Sequence, residues 1–157
     1  MSLNDEMRFR LAEFGDAGIL LKWRNDPLTR KSSKNSSLIT MKQHIRWLTA
    51  SFKDKNRRIN IVEYNKIPVG TIRTDYSEGF TELSWTVAPE ARGQGIGKRM
   101  VMEFMRFVDG PVRAEIKVGN EASKRIAEGA GMKLDREEKG ILYYSVLKNH
   151  TLSSKPK

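Results

Sequence analysis

Between Arg92 and Lys98 the chain reads Arg92-Gly93-Gln94-Gly95-Ile96-Gly97-Lys98, and three alternate glycines there suit one kind of chemistry, the holding of an anion on bare backbone. Glycine removes the Cβ that would keep a ligand away from main-chain N–H groups. The dipole of a following helix adds roughly 0.3–1 kcal/mol, whereas each amide bond to a charged acceptor is worth about 1.5–3 kcal/mol, so the amides dominate. Two common phosphate loops fail on spacing. A Walker loop requires Gly five residues before its Gly-Lys-Ser/Thr, where this chain has Arg92, and Arg99 follows Lys98. The fingerprint G-x-G-x-x-G started at Gly93 places Lys98 at its third glycine. A glycine turn with no ligand is the alternative, disfavoured because these glycines weaken a helix start unless close approach is needed.

Other reactive types are scarce. With no Cys, the chain excludes a disulfide framework, a Cys-ligated metal and an acyl-cysteine intermediate; His44 and His150 are the only imidazoles. No metal is expected. The net charge is +10, and residues 22–58 hold eleven basic and two acidic side chains. That region is expected to face something anionic, or else to be a solubilising surface. Residues 92–139 carry the mixture of a solvated face, eleven basic against eight acidic. There is no apolar run of the roughly 18 residues a membrane span needs, and no secretion signal is visible, so a cytoplasmic protein is expected.

The 157 residues suit a single domain over 1–157, structured over about 8–148 with a frayed tail from 149. Arg8 to Phe14 reads as a strand, followed by a short helix from Gly15-Asp16 through Trp23 to the stop at Asp26-Pro27. Thr29 to Ser37 reads as a loop. Thr40 and Gln43 form a capping box, and Met41, Ile45, Leu48 and Phe52 then make one buried face of a helix, with His44 and Trp47 off it. Strands over 58–64, 68–75 and 80–87, with links at Asn65-Lys66 and Ser77-Glu78-Gly79, form an antiparallel meander. The glycine loop then opens a helix with Met100, Phe104, Phe107 and Val108 on its apolar face. A strand over 112–118, a helix capped by Asn120 and closed at Gly131, and strands over 132–137 and 141–147 complete the order.

On these residues the chain resembles the GNAT N-acetyltransferase superfamily. Arg92, Gly95 and Gly97 match its Arg/Gln-x-x-Gly-x-Gly/Ala signature, preceded by Glu82 to Glu90; Asn120, Ser123 and Gly131-Met132 match its second segment. The resemblance spans Arg8 to Leu147. It implies an α+β fold, a central mixed and mostly antiparallel sheet split in a V between the strands ending at Val87 and Val118, flanked by about four helices. It also implies acetyl-coenzyme A in the V as acetyl donor. The amides of Gln94, Gly95, Ile96, Gly97 and Lys98 would hold the pyrophosphate, with Arg92 shaping the loop and Gly93 counted with the coenzyme-binding residues. Trp85, Thr86 and Val87 would pair with the pantetheine arm, a Val87 amide could donate to the oxyanion, and Asn120 and Ser123 would meet the arm from the other side. Asn120 reads equally as a helix cap.

A neutral amine must attack the thioester, so the site needs a proton acceptor, an oxyanion donor and a proton source for the thiolate. Glu82 is the candidate base, directly or through water, or else a surface glutamate. The family's usual acid, a Tyr seven residues after the Asn, is replaced by Ala127, which leaves Ser123, Tyr143, Tyr144 or water; the two tyrosines face opposite sides of a strand. Leu21 to Asp26 and His44 to Leu48 resemble the acceptor region of amino-sugar-nucleotide N-acetyltransferases of pseudaminic-acid-type pathways. The acceptor implied is an anionic small molecule, a UDP-linked 4-amino-deoxy sugar, met by Trp23, Arg24, Asn25, His44 and Trp47. Trp23 and Trp47 read equally as core. Two rival readings are a ribosomal-protein-type N-terminal acetyltransferase and a basic module for nucleic acid, the latter disfavoured by the coenzyme segments. A homodimer is allowed, and no membrane partner is expected.

Overall fold

Seven strands share one sheet in the computed structural model, which describes residues 6–147. The tail expected from 149 lies outside those residues. The strands are β1 (Met7–Leu11), β2 (Arg57–Tyr64), β3 (Ile67–Ser77), β4 (Phe80–Val87), β5 (Val112–Lys117), β6 (Lys133–Glu138) and β7 (Ile141–Val146), in the order β1-β2-β3-β4-β5-β7-β6. All pairs are antiparallel except β4 with β5. Left-handed pairs of residues make the hairpin turns, Asn65-Lys66, Glu78-Gly79 and Lys139-Gly140, as the twist of the flanking strands requires.

The V implied by the resemblance is present. β4 and β5 run parallel but pair only at Thr81↔Val112 and Glu82↔Arg113, so from Leu83 onward the β5-facing edge of β4 has no strand partner. Helices α1 (Ala17–Arg24) and α3 (Met41–Lys53) pack over the sheet face carrying Thr71, Arg73 and Ser84; α4 (Ile96–Met105) and α5 (Glu121–Gly129) cover the other. Met100, Val101, Ile72, Leu83 and Ala127 are fully or almost fully buried between the latter layers.

Three expectations need correction. A fifth helix, α2 (Pro27–Lys31), lies where a loop was expected: Asp26 accepts from the Thr29 amide as N-cap and Pro27 occupies the first turn, so the dipeptide that stops α1 also starts α2. The buried face of α3 is His44, Leu48 and Ser51, while Met41 and Ile45 are 46% and 37% exposed. Ser51 can go inside because the Arg57 guanidinium donates to its hydroxyl there, and His44 goes in stacked on Trp47. The helix expected to run through Val108 ends at Met105, leaving Phe107 exposed.

Candidate active site

The glycine loop does divided work. Gly93 and Gly95 have φ of +75° and +76°, a conformation that L side chains adopt only with strain, and a Cβ at either would meet open space. Gly97 has an ordinary φ but no room: a Cβ there would lie 2.7 Å from Ile126 Cδ1 and 3.0 Å from Val87 Cγ2. Two glycines therefore shape an open turn, and the third lets α4 approach α5 and β4. Thr40 caps α3 and Asn120 caps α5, but no side chain caps α4 at Gly95. Its first-turn amides thus lie beside open space that a Cβ on Gly93 or Gly95 would enter freely, which fits a pyrophosphate. Ile96 and Gly97 are buried, so only their backbone can serve a ligand. Gln94 turns its side chain back onto the Glu90 carbonyl, and the Lys98 chain lies against Gly129.

Across the V, one hydrogen bond joins the two arms. The Trp85 indole donates to Ser123 Oγ at 3.2 Å. An indole N–H can only donate, so Ser123 keeps its own hydroxyl proton for another acceptor. Asn120 Oδ1 accepts from the Ser123 amide at 3.1 Å, the capping role, and this holds Ser123 in the first turn of α5. Sequence reasoning missed Gly70, opposite Val87 on β3: a Cβ there would come within 2.3 Å of the Thr86 carbonyl.

The predicted acceptor residues largely converge. A pocket of about 380 Å³ is lined by Trp23 and Arg24 of α1, His44 and Trp47 of α3, and Trp85 and Thr86 of β4. Arg73 and Ser84 also line it; neither stood out in the sequence, although strand alternation places both on the face of Glu82. Asn25 has another task. Its amide exchanges two hydrogen bonds with the backbone of Ile39, 2.8 and 2.9 Å, and so pins the 32–40 loop. Arg24 Nη2 donates to the Asn35 carbonyl at 2.6 Å, while its Nη1 is buried without a partner. Burial, then the charge of Arg30, lowers the Arg24 pKa. Trp47 stacks on His44 and receives the guanidinium groups of Arg57 and Arg73 at 5.7 and 5.9 Å from its ring centre, both held by Asp75. Trp23 is almost wholly buried, a core residue that also forms wall.

Glu82 lies on the same sheet face two residues before Ser84, outside the pocket lining. Burial first, then the Glu115 charge, pushes its carboxyl up; Lys34 and Arg113 pull the other way, and Asp75 adds to the rise. Arg113 Nε is 3.8 Å from it. Tyr143 faces a separate pocket with Glu115 and Arg113, its ring covered by the Arg136 guanidinium at 3.9 Å. Tyr144 is buried on the opposite side, donating to Glu128 at 3.0 Å; burial and that carboxylate push its phenol up to about 12. The tyrosines do face opposite ways. No cluster of three His, Asp or Glu able to hold a metal ion occurs among the described residues, and no helix there is long and apolar enough to cross a membrane.

Known proteins share this architecture. A spermidine N-acetyltransferase from Vibrio cholerae, solved with CoA and spermine, superposes with a TM-score of 0.82 at 15% identity, over 95% of this chain and 99% of that one. The aminoglycoside acetyltransferase AAC(6')-Ib, solved with coenzyme A, gives 0.80 at 15% over 96% and 99%. A domain from Methanocaldococcus jannaschii gives 0.77 at 19% over 90% and 98%. Comparison with curated protein sequences found no match. The family model described as "Acetyltransferase (GNAT) domain" matches residues 6–133, a span that takes in the uncapped glycine turn, the V and the Trp85–Ser123 bridge, and the chain therefore belongs to the GNAT acetyltransferase family as an acetyl-coenzyme A-dependent N-acetyltransferase.

Proposed function

We propose that this enzyme acetylates the primary amine of a small molecule whose far end is anionic, and that a UDP-linked 4-amino-deoxy sugar is the acceptor it fits best. One observation carries the reading: the pocket has two arginines, Arg24 and Arg73, and three tryptophans, Trp23, Trp47 and Trp85, among its lining residues and no carboxylate. A polycation such as spermine or an aminoglycoside, the ligand type of the structural relatives, is attracted by acidic walls; this lining repels it. Arg24 Nη1, buried without a partner, is completed by an oxyanion such as a diphosphate, and the exposed edge of Trp47 offers a face for a sugar or a base.

Bound acetyl-coenzyme A supplies the activated acetyl group, and the chain supplies position and charge. Amides of residues 93–98 hold the pyrophosphate. The unpaired edge of β4 over Trp85 to Val87 orients the pantetheine arm, with the Val87 amide toward the carbonyl oxygen. Ser123, its hydroxyl proton uncommitted, meets the departing sulfur from the α5 side. Such a reaction draws on cytoplasmic metabolites, and the cytoplasm is the location proposed.

The test is thiol release from acetyl-coenzyme A with a panel of amines: UDP-linked 4-amino sugars, spermidine, an aminoglycoside and peptides with free N-termini. Turnover of the UDP-amino sugar above all others is expected. Preference for spermidine or the aminoglycoside overturns the anionic-acceptor reading, and preference for a peptide supports the ribosomal-type alternative.

A further inference from the structure

Two guanidinium groups share one carboxylate at the wall of the acceptor pocket. Arg57 of β2 and Arg73 of β3 each donate through Nε to Asp75, to Oδ1 at 2.6 Å and to Oδ2 at 2.8 Å. Cross-strand pairing sets Arg57 opposite Asp75, and Arg73 stands two residues before Asp75 on the same strand, so the three side chains share one face of the sheet. Both guanidinium groups also lie against the ring of Trp47. The next carboxylate, Glu82 opposite Asp75 on β4, has Arg113 beside it instead. Two cations on one carboxylate leave a positive charge over.

Arg73 is the member of the cluster that reaches the pocket. It lines the wall together with Trp47 and Ser84, whereas Arg57 and Asp75 do not. A guanidinium has five N–H groups. On Arg73, Nε–H goes to Asp75 and one on Nη2 to Ser84 Oγ at 3.5 Å, so three remain, two of them on Nη1. Nη1 has no hydrogen-bond partner among the described residues, yet it keeps accessible surface, the side chain being 31% exposed. Ser84 accepts from Arg73 and so keeps its own hydroxyl proton to donate. Asp75 is already matched by Arg57, which makes the second guanidinium surplus to the ion pair, held in place with its far edge open.

We propose that Arg73 selects the acceptor by charge: its Nη1–Nη2 edge binds a phosphate or diphosphate group at the end of the acceptor remote from the amine. Asp75 and Trp47 fix the guanidinium, and Arg57 keeps the carboxylate from cancelling its charge. The inference rests on the anionic-acceptor reading and gives that reading a residue. A planar fork of donors matches two phosphate oxygens, and the Ser84 hydroxyl adds a third donor beside it. A polyamine brings positive charge to the same place and is repelled.

Two measurements test the proposal. The first needs no acceptor: ³¹P NMR titration of inorganic pyrophosphate into the protein with saturating coenzyme A already bound. Saturable binding that weakens with added salt is expected in the wild type, with a loss of about tenfold or more in Arg73→Gln and no change in coenzyme A affinity. Arg73→Lys keeps the charge without the fork and should fall between the two; it carries the test if the Gln variant fails to fold. Absence of pyrophosphate binding in the wild type, or equal binding in the variants, overturns the proposal. The second measurement is kinetic. On the UDP-linked 4-amino sugar, Arg73→Gln should lower kcat/KM by about tenfold or more, the loss carried by KM, and Arg73→Glu should shift the kcat/KM ratio toward spermidine by at least as much. If the wild type refuses the sugar while pyrophosphate still binds through Arg73, the sugar assignment fails and the anion site stands. If the sugar is acetylated and Arg73→Gln leaves its KM unchanged, the Arg73 assignment fails and the acceptor reading stands.

Discussion

Arg92 Nη2 lies 2.8 Å from Asp26 Oδ2 and 2.9 Å from Thr29 Oγ1, which ties the glycine turn to the first turn of a helix 66 residues earlier in the chain. Asp26 is also the N-cap of α2, and α2 leads into the 32–40 loop, whose Asn35 and Ile39 line the acceptor pocket. Lys34 and Lys117 fasten that loop to β5 through Glu115 and the carbonyls of Lys31 and Ser33. One guanidinium therefore stands between the turn proposed to hold the coenzyme phosphates and the pocket proposed to meet the acceptor.

Arg92→Gln is expected to weaken both functions together. The pair is mostly shielded from solvent, so its loss should destabilise the protein by about 1–2 kcal/mol, while acetyl-coenzyme A affinity falls and the acceptor KM rises. Burial works against ionisation of Asp26, but the Arg92 bond and the Thr29 and Leu28 amides outweigh it and hold the carboxyl below the usual range. An acid with a depressed folded pKa adds stability above its unfolded value, about 3.9, and that stability disappears as pH falls through the folded value. The Tm difference between wild type and Arg92→Gln should accordingly narrow on acidification below pH 4. A difference that stays constant down to pH 2 would show that the carboxylate is not the partner that matters.

Gly95 and Gly97 should respond oppositely to substitution. Gly95→Trp places a side chain into open space at left-handed φ, so it fills the cradle at a conformational cost of about 1–2 kcal/mol; Gly95→Asn, better tolerated there, controls for that strain. Acetyl-coenzyme A affinity is expected to fall more than tenfold in the Trp variant, about 1.4 kcal/mol, with the fold retained. Gly97→Ala instead forces a methyl against Ile126 and Val87 and should lower stability by about 1–3 kcal/mol. Calorimetry and thermal melts distinguish the two; unchanged affinity in Gly95→Trp would remove the cradle.

The open glycine turn was legible in the sequence and the pocket lining only partly so, for reasons that lie in what each is made of. A turn that bares its main-chain amides is written directly by glycine spacing, and Gly93 and Gly95 are at left-handed φ as such a turn requires. Trp23, Arg24, His44 and Trp47 could be picked out by type, but the same reasoning gathered Asn25, which braces a loop, and Tyr143, which faces another pocket. Arg73 and Ser84 went unnoticed because ordinary strand residues become wall only through pairing across β3 and β4. In α3 the hydropathy stripe favoured Met41 and Ile45, yet His44 and Ser51 are inside, since a ring stacked on Trp47 and a hydroxyl met by Arg57 defeat a reading based on apolar spacing alone. The short helix after Asp26 was hidden by a polar composition, although Pro27 in its first turn signalled it.

Glu82→Gln separates the two carboxylate duties. Burial, then Glu115, raises this acid above the ordinary value, so the folded chain holds its proton more tightly, and stability is lost as pH rises from the unfolded value of about 4.3 through the folded one. A neutral Gln removes that loss. The variant should melt higher than wild type at neutral pH and equally at pH 4. If this carboxylate is the proton acceptor, its loss should lower kcat by about 10²–10⁴. A fall of less than about tenfold would take Glu82 out of the proton path.

The Trp85–Ser123 bridge predicts a non-additive pair. Ser123→Ala removes the hydroxyl proposed to meet the departing sulfur and should lower kcat about tenfold, the equivalent of one modest hydrogen bond, with little change in acetyl-coenzyme A affinity. Trp85→Phe keeps the ring but loses the N–H that orients Ser123, so its smaller loss should vanish in the Ser123→Ala background. Tyr144→Phe is the control. It leaves Glu128 without its phenol donor and should destabilise the fold by about 1.5–3 kcal/mol, yet kcat should hold, because that hydroxyl is committed to the Glu128 carboxylate. If kcat instead fell in Tyr144→Phe and survived in Ser123→Ala, the proton for the thiolate would have to reach the V from Tyr144, and the bridge would be a packing contact alone.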